Sequence, residues 1–456
     1  MSPLEALDLV ARRDLPALHL EPGGAEDRVL SFAELHDTVR RRAARLRTWS
    51  HDVHSGPGPA PVLAVDAHRG ALLLIELLAA FEAGLPALAL NNGWWPRERD
   101  AVLEQVRPGW MSGGDPGQVP TPVGLGHSHA LRPDASAAVD AAWWLASTGS
   151  DGDPTPYVFD RGQVSSWMAP GGTLGGDLKP GSRVLVTGEV AHAPVLRMAL
   201  SALAHGAEVQ ITDRTHFGGL LAHGHYDQVV TTPVLLRRTL RQLQRRQRRL
   251  VGVSQLSLHQ GPVRPHEQVD WPQRFSGSVR SWLSATEAGG WLLQDGHVPE
   301  GLEVRLDSGG TMHTSGPQSA QVSARQPRPA GGWPSGDQAE TDAAGRTVWQ
   351  GRLRDHFRVD ATQVNPVVVE AVLAAHPLVA EIAVAPRPHP ERGNQVVAVL
   401  VPADPEWPPF LEDLAAVAAS LPPECRPEVL TIVEDIPTNA AGALHRRLVN
   451  YEEASR

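Results

Sequence analysis

The sequence predicts an α/β protein, with a large amino-terminal domain of parallel and mixed sheets covered by helices and a small α+β carboxy-terminal domain joined to it by a hinge. Three observations predict this. Short apolar runs of strand length alternate with helix-length segments, the pattern of parallel sheets with crossover helices. The 456 residues are more than one hydrophobic core usually serves. After Arg354 the pattern resets into a second, shorter set of elements, so the boundary is expected near it, with residues 1–353 and 354–456 as the two domains.

The first unit is a strand at 61–65, a helix at 70–83 stopped by Gly84, and a strand at 87–90. The unit recurs as a strand at 184–186, a helix at 194–205 stopped by Gly206, and a strand at 207–211. A third follows, with a strand at 228–231 and a helix from 234 to about 250 that has Pro233 at its start. Glycine just past a helix supplies the left-handed residue that ends it. Residues 320–336, rich in Pro and Gly, predict short edge strands and loops. Beyond the reset, Asn365-Pro366 precedes a helix at 367–375, followed by strands at 381–385 and 395–401, a helix at 409–420 and a strand at 428–433.

Composition excludes several functions. The net charge of -10 argues against nucleic-acid binding. A single cysteine, Cys425, excludes an intrachain disulfide and a Cys-rich metal site. The apolar run 71–90 is broken by Glu76, Glu82, Gly84 and Pro86 and does not suit a membrane span, and no charged-then-apolar leader is seen. A soluble cytoplasmic protein without nucleic-acid or membrane partners is expected. Arginine carries nearly all the positive charge, and the Gly, Pro and Ala content reflects coding bias.

Several short motifs carry chemistry. Residues 146–155, Ala-Ser-Thr-Gly-Ser-Asp-Gly-Asp-Pro-Thr, form a Gly/Ser/Thr loop of the kind whose amides and hydroxyls meet phosphate oxygens, although alone it is as readily a plain turn. Thr286-Glu287 follows Ser281-Trp282-Leu283-Ser284-Ala285; its ordinary reading is a helix start with Thr286 as N-cap. Asp337 closes Trp333-Pro334-Ser335-Gly336, and residues 342–346 suit a hairpin turn. Gly351-Arg352-Leu353-Arg354-Asp355 leads into residues 357–370, which end in Asn365-Pro366-Val367-Val368-Val369-Glu370. Near the end stands Ile436-Pro437-Thr438-Asn439-Ala440-Ala441-Gly442-Ala443-Leu444-His445-Arg446-Arg447-Leu448.

In this order these motifs resemble those of the adenylate-forming superfamily, which includes acyl- and aryl-CoA synthetases, nonribosomal-peptide adenylation domains and luciferase-like enzymes. The resemblance runs from about residue 30 to 450, and the stretch 357–370 carries most of it. It implies an AMP-forming ligase that activates a small carboxylic acid with ATP and Mg²⁺ and passes it to coenzyme A or a phosphopantetheine arm on an acyl or peptidyl carrier protein, as in secondary metabolism. Thr148, Gly149, Ser150 and Gly152 would cradle phosphate, Thr286 would bond the adenylate phosphate, and Glu287 would hold Mg²⁺. Asp337 would accept from the ribose hydroxyls, Arg352 would touch the ribose, and Arg354 would sit at the hinge. His192 would line the acyl pocket, where the ordinary reading is a satisfied core or surface histidine. Gly261, in His259-Gln260-Gly261-Pro262, would lie in the turn beside adenine.

The departures from the family pattern fall on its cations. Ala443 stands where the family has its catalytic lysine, and Thr155 where it has the loop lysine. Asp151 puts a carboxylate in the loop, Leu283 replaces the aromatic residue on adenine, Ser284 replaces a glycine, and Ala361 replaces the glycine that lets the thiol arm pass. Losing one preorganised donor typically slows such a reaction about 10²–10³-fold. Nucleotide binding is therefore expected to be weak and adenylation impaired, with His445, Arg446 and Arg447 the nearest substitute cations. The run Arg237, Arg238, Arg241, Arg245, Arg246, Arg248 and Arg249 suits a solvated helix face, or a dock for an acidic carrier protein or coenzyme A phosphates. Three activities stay open: a divergent ligase, an enzyme acting on an already activated acyl thioester by transfer, condensation or cyclisation, and a non-catalytic partner of a carrier protein.

Overall fold

Two large sheets and one small sheet build the first part of the chain. The computed structural model describes residues 2–11, 14–21, 27–53, 62–113, 117–123, 140–147, 154–168, 177–246, 252–404, 408, 411–438, 444 and 446. One sheet has six parallel strands side by side: Ser278–Leu283, Val253–His259, Tyr226–Thr231, Arg183–Thr187, Glu208–Thr212 and Pro16–His19. Antiparallel strands Leu293–Gln294 and Val29–Ser31 close its edges. The second sheet runs Val322–Ser323, Pro156–Asp160, Ala141–Ala146, Ala87–Ala89, Leu63–Val65, Trp110–Ser112 and Thr121–Pro122, parallel in its middle. A third, antiparallel sheet joins Glu303–Leu306, Thr311–Ser315, Trp333–Thr341 and Thr347–Arg352.

The helix Gly70–Ala83 belongs to one apolar cluster with Val65 and Trp143 of the second sheet and Val184, Val186 and Val209 of the first. A helix apolar on every side is a core helix, which accounts for the long run that interrupted charges kept from resembling a membrane span. Its Glu76 is fully buried and receives Arg42 Nε at 2.8 Å, Arg42 Nη2 at 2.7 Å and Ser112 Oγ at 2.6 Å. Gly84 ends the helix at φ 79°, its N–H reaching the Ala80 and Phe81 carbonyls. Among the described residues no helix is long and apolar enough to cross a membrane.

After the turn Leu353–Asp355 the chain forms a hairpin, Phe357–Val359 with Thr362–Val364, and the helix Pro366–Leu373. Asn365 caps that helix, its Oδ1 accepting the Val367 N–H at 3.0 Å. A long hairpin, Val379–His389 with Gly393–Pro402, is joined in parallel by Val429–Ile432, and Leu411–Ala418 packs with them. These elements share an apolar cluster of their own, from Val359 to Leu421. The hairpin strands outrun the expected 381–385 and 395–401 because their ladder continues through polar pairs such as Arg387 with Gln395. The helix expected to reach about 250 is Pro233–Arg245; residues 247–251, with Arg248 and Arg249, lie outside the described residues.

The helix Pro233–Arg245 ties the two parts together. Arg238 donates to Glu381 Oε2 at 2.8 Å and to the Ile436 carbonyl at 2.7 Å, and pairs with Asp435 at 2.7 Å. Arg241 also binds Glu381, Arg264 donates to the Val379 carbonyl at 3.1 Å, and Arg214 donates to Thr438 Oγ1 at 2.9 Å. Arg237 turns to Glu267 instead. The face expected to be solvated or to meet an acidic partner is thus, at Arg237, Arg238 and Arg241, spent on carboxylates of the same chain.

Candidate functional site

A cavity of about 1210 Å³ opens between the carboxyl ends of the parallel strands and the small carboxy-terminal elements. Crevices beyond the carboxyl ends of parallel strands are where α/β sheets bind ligands, since the following loops converge there. Gln260 and Gly261 follow the strand Val253–His259, Leu283 and Ser284 end the next one, and His192 follows Arg183–Thr187; all five line the cavity. Ile436, Thr438, Leu444 and Arg446 line it from the opposite side.

Thr286 and Glu287 sit in a one-turn 3₁₀ helix, Thr286–Ala288, on the cavity wall. Thr286 is its first residue and makes no capping bond, so the N-cap reading is corrected: Ala285 occupies that place. The turn is held from behind. The Glu287 carbonyl accepts from Ala320 N–H at 2.8 Å and Ser319 Oγ at 3.1 Å, while buried Arg197 donates to the Gly289 carbonyl at 3.0 Å. Burial alone lowers the Arg197 pKa to about 9.

Asp337 and Arg352 are register partners on adjacent strands, and both line the cavity. Asp337 is fully buried; its Oδ1 accepts Trp349 Nε1–H at 2.8 Å and stands 3.5 Å from Arg352 Nε. Arg354 lies in the turn Leu353–Asp355, 3.3 Å from Asp355. The strand-to-turn step at Gly351 needs glycine: φ is 128°, and a Cβ there would come within 3.1 Å of Val367 and 3.2 Å of Asn365.

The loop residues Thr148, Gly149, Ser150, Asp151 and Gly152 lie outside the described residues, as do Ala443, His445 and Arg447. The ends of that loop are pinned at the cavity. Ser147 N–H donates to the Thr155 carbonyl at 2.9 Å, and Thr155 N–H donates to Ser147 Oγ at 2.9 Å. Ala361 is exposed and is not among the cavity-lining residues.

The chain has one lysine, Lys179, which is exposed and does not line the cavity. The positive groups on the wall are arginines. Arg446, expected as a substitute cation, is instead bound to Glu370 through both terminal nitrogens, to Asp355 at 3.1 Å and to the Val384 carbonyl at 2.9 Å. Burial lowers its pKa, but Glu370 and Asp355 more than reverse that, and it is held charged as a staple between the turn Leu353–Asp355 and the helix Pro366–Leu373. This corrects the substitute-cation reading at Arg446.

Nucleotide and metal fit this wall in a limited way. Among the described residues no group of three or more His, Cys, Asp or Glu could hold a metal. Mg²⁺ needs no such cage when phosphate and water complete its shell around one or two carboxylates. Glu287, with the hydroxyls of Thr286 and Ser284 beside it on the wall, suits that mode.

His192 is buried at the start of the helix Ala193–Ala204, and burial lowers its pKa to about 4. Its Nε2 lies 2.7 Å from Asn91 Nδ2. It is therefore not the fully satisfied core histidine of the ordinary reading, since its Nδ1 is buried without a partner. The residues the sequence did not single out are Trp349, which orients Asp337, and Asp355 and Glu370, which engage Arg446. Their signal was the alternation of the strand Thr347–Arg352 and the density of charge at its end.

Comparison with known proteins agrees with this architecture. Residues 368–443 match the family model of the AMP-binding enzyme C-terminal domain. Acetyl-coenzyme A synthetase of Methanothrix soehngenii is 30% identical over 170 residues, 33% of this chain and 25% of that enzyme. A medium/long-chain-fatty-acid–CoA ligase of Mycobacterium tuberculosis is 40% identical over 154 residues, 28% of this chain and 30% of that enzyme. The matched segments thus span less than a third of those relatives. The whole fold superimposes on an anthranilate CoA ligase solved with anthranoyl-AMP, with TM-score 0.79, 16% identity, and coverage of 100% of this chain and 97% of that one. ATP-bound MatB from Rhodopseudomonas palustris gives TM-score 0.76 at 18% identity, with 100% and 99% covered. The amide bond synthetase McbA from Marinactinospora thermotolerans gives 0.76 at 18%, with 98% and 99% covered.

Proposed function

We propose that the chain is a member of the adenylate-forming superfamily and, on that premise, an AMP-forming ligase, with altered adenylation, that activates a small carboxylic acid and transfers it to a thiol of coenzyme A or a carrier-protein arm. The observation that carries this reading is convergence: Thr286 and Glu287, the pair Asp337 and Arg352, the pinned ends of the 147–155 loop, and Ile436, Thr438, Leu444 and Arg446 all line one cavity. In this reading Asp337 and Arg352 position the ribose, Glu287 would hold Mg²⁺, and Thr286 donates to the transferring phosphate. The acid lies toward His192, with Gly261 beside adenine. Mg²⁺, when bound, would supply screening of the phosphate charge. The carboxylate attacks the α-phosphate of ATP, the bond from that phosphorus to the bridging oxygen breaks, and pyrophosphate leaves; the thiol later attacks the acyl carbon and AMP leaves. The residues of the chain align the two reactants and exclude water. The small domain, residues 354–456, then turns about Arg354 to admit the thiol. The acceptor, a carrier-protein partner and a role in secondary metabolism belong to this proposal.

The absence of lysine from the cavity wall favours a second reading, in which the same site accepts an already activated acyl group and catalyses only its transfer. Acid-dependent exchange of pyrophosphate into ATP separates the two. We expect slow, Mg²⁺-dependent exchange with at least one aryl or acyl acid, lost in Asp337→Ala, and a gain of about 10²-fold in Ala443→Lys. Silence across the acids in both proteins, together with turnover of an acyl thioester or acyl-adenylate, would overturn the ligase reading in favour of the second.

A further inference from the structure

Five polar atoms in one region beside the cavity are buried without a hydrogen-bond partner among the described residues: His192 Nδ1, both ring nitrogens of His259, Trp282 Nε1 and Trp291 Nε1. Buried polar atoms are nearly always paired, so a cluster of exceptions calls for a ligand or bound water. The four side chains adjoin one another. His259 and Trp282 are register partners at the ends of neighbouring strands. The Trp282 and Trp291 rings are 4.8 Å apart, and His259 meets Trp291 edge-on at 5.7 Å. The segment before Trp291 abuts the one after His192, since a Cβ on Gly290 would lie 2.9 Å from the Ala193 carbonyl. His192 and Trp282 line the cavity, as do Gln260 and Gly261 next to His259.

The cluster has a definite polarity. Asn91 Oδ1 accepts the Gly93 N–H at 2.8 Å, which assigns the Asn91 Nδ2 as donor to His192 Nε2 at 2.7 Å. The His192 proton therefore sits on Nδ1, which is a donor. Each indole N–H can only donate, and a neutral His259 offers one donor and one acceptor. Burial holds both histidines neutral, at pKa values of about 4 and about 3. The cluster thus has more donors than acceptors, even with the buried, unpartnered Oε1 of neighbouring Gln260 counted, and no charge on its imidazoles. That set suits an uncharged oxygen better than a second carboxylate.

We propose that the acid bound in this cavity carries, besides its reacting carboxylate, an uncharged hydroxyl or carbonyl oxygen received at the wall residues His192 and Trp282 and, through one bridging water, at His259 and Trp291 behind them, and that the two histidines set this preference. The inference rests on the reading of the cavity as the site of a carboxylic acid. A site built to bond an oxygen discriminates strongly against the analogue lacking it, because its own buried groups then stay unpaired.

Calorimetry without ATP tests this on matched acids: benzoate against its 2-, 3- and 4-hydroxy derivatives, and hexanoate against 5-oxohexanoate. In the unsubstituted protein at least one oxygenated acid is expected to bind about tenfold or more tightly than its parent, and in His259→Phe or His192→Phe the ratio falls to within about twofold. The unliganded His259→Phe protein is expected to melt no lower than the parent, because the substitution removes two unpaired buried atoms. Ratios within about twofold in the unsubstituted protein overturn the proposal, as does a preference that persists in both variants. A lowered melting temperature in His259→Phe with an unchanged ratio also overturns it, since that marks a purely structural histidine. Equal binding of all the acids sinks this inference alone, whereas binding of none of them sinks the acid reading of the cavity with it.

Discussion

Asp337 is a carboxylate with no exposed surface whose Oδ1 is oriented by an indole N–H from the next strand. A buried carboxylate held this way has little freedom to turn, which is what recognition of a fixed pair of hydroxyls requires. Trp349→Phe keeps the ring and removes the donor. The expected result is an AMP affinity about tenfold weaker, measured by calorimetry, with the fold intact, because one charge-assisted hydrogen bond is worth roughly 1.5–3 kcal/mol. Histidines define a second residue-scale prediction. His192 and His259 titrate near 6.5 in the unfolded chain but near 4 and 3 when folded, because burial opposes their charged forms. Between those values the unfolded chain holds more protons. Stability is then full above about pH 6.5 and falls as pH drops, by about 1.4 kcal/mol per unit from each histidine. His19 behaves oppositely. Burial lowers its pKa, but bonds to Glu208 and Asp27 at 2.8 and 2.6 Å outweigh this and raise it. Its contribution is full below 6.5 and is lost as pH rises through its folded value. Between pH 5 and 6.5 the pair acts together with His356, lowered by burial, and against Glu189, raised by burial, so the comparison of parent with variant isolates the pair: His192→Phe with His259→Phe should reduce the urea-unfolding slope there while leaving the alkaline side unchanged.

At the scale of elements, the helix Gly70–Ala83 carries one fully buried ion pair, Glu76 with Arg42, within an otherwise apolar core. Removing the Glu76 carboxylate strands a buried guanidinium at Arg42, whose cost is roughly 3–5 kcal/mol, whereas replacing both by apolar residues of similar volume is close to neutral. Glu76→Ala is accordingly expected to lower the urea midpoint far more than Arg42→Met combined with Glu76→Leu; equal losses would show that packing rather than charge sets the helix position. The same helix shows why much of the fold was legible in the sequence. Its apolar run, its glycine stop and the two repeats of the unit each state a local preference that the tertiary structure also satisfies. Legibility ended where pairing is made by backbone. The strand Val379–His389 runs through Pro386 and His389 because its partner supplies the ladder, and side-chain periodicity does not record that. Asp337 and Arg352 could be picked out because both lie in motifs of fixed spacing, and the structure puts both on the cavity wall. His259, Trp282 and Trp291 come from separate segments, and only folding makes them one cluster. Arg446 was misjudged for the same reason: its carboxylate partners, Glu370 and Asp355, lie far off in the chain.

For the whole molecule, the question is what holds the small carboxy-terminal part over the cavity. The contacts at the helix Pro233–Arg245 differ in burial, and so in worth. Glu381 is nearly buried and receives both Arg238 and Arg241, while Asp435 is 67% exposed and shares only Arg238. Exposed pairs contribute little, because water screens them and two flexible side chains must be ordered. Glu381→Gln should therefore release the small part by about 2 kcal/mol, as two guanidinium groups lose their shared counter-charge, and Asp435→Asn by no more than about 0.5 kcal/mol. The connecting turn Leu353–Asp355 has no buried residue and contains Arg354, so its cleavage by trypsin reports how often the two parts separate. Where opening and closing outpace cleavage, the rate follows the open population. Glu381→Gln is expected to cut at Arg354 about 30-fold faster than the parent, and Asp435→Asn less than threefold faster. Equal rates in all three proteins would mean that the arginine cluster does not hold the docked arrangement, and that the contacts of Arg264 with the Val379 carbonyl and of Arg214 with Thr438 carry it instead.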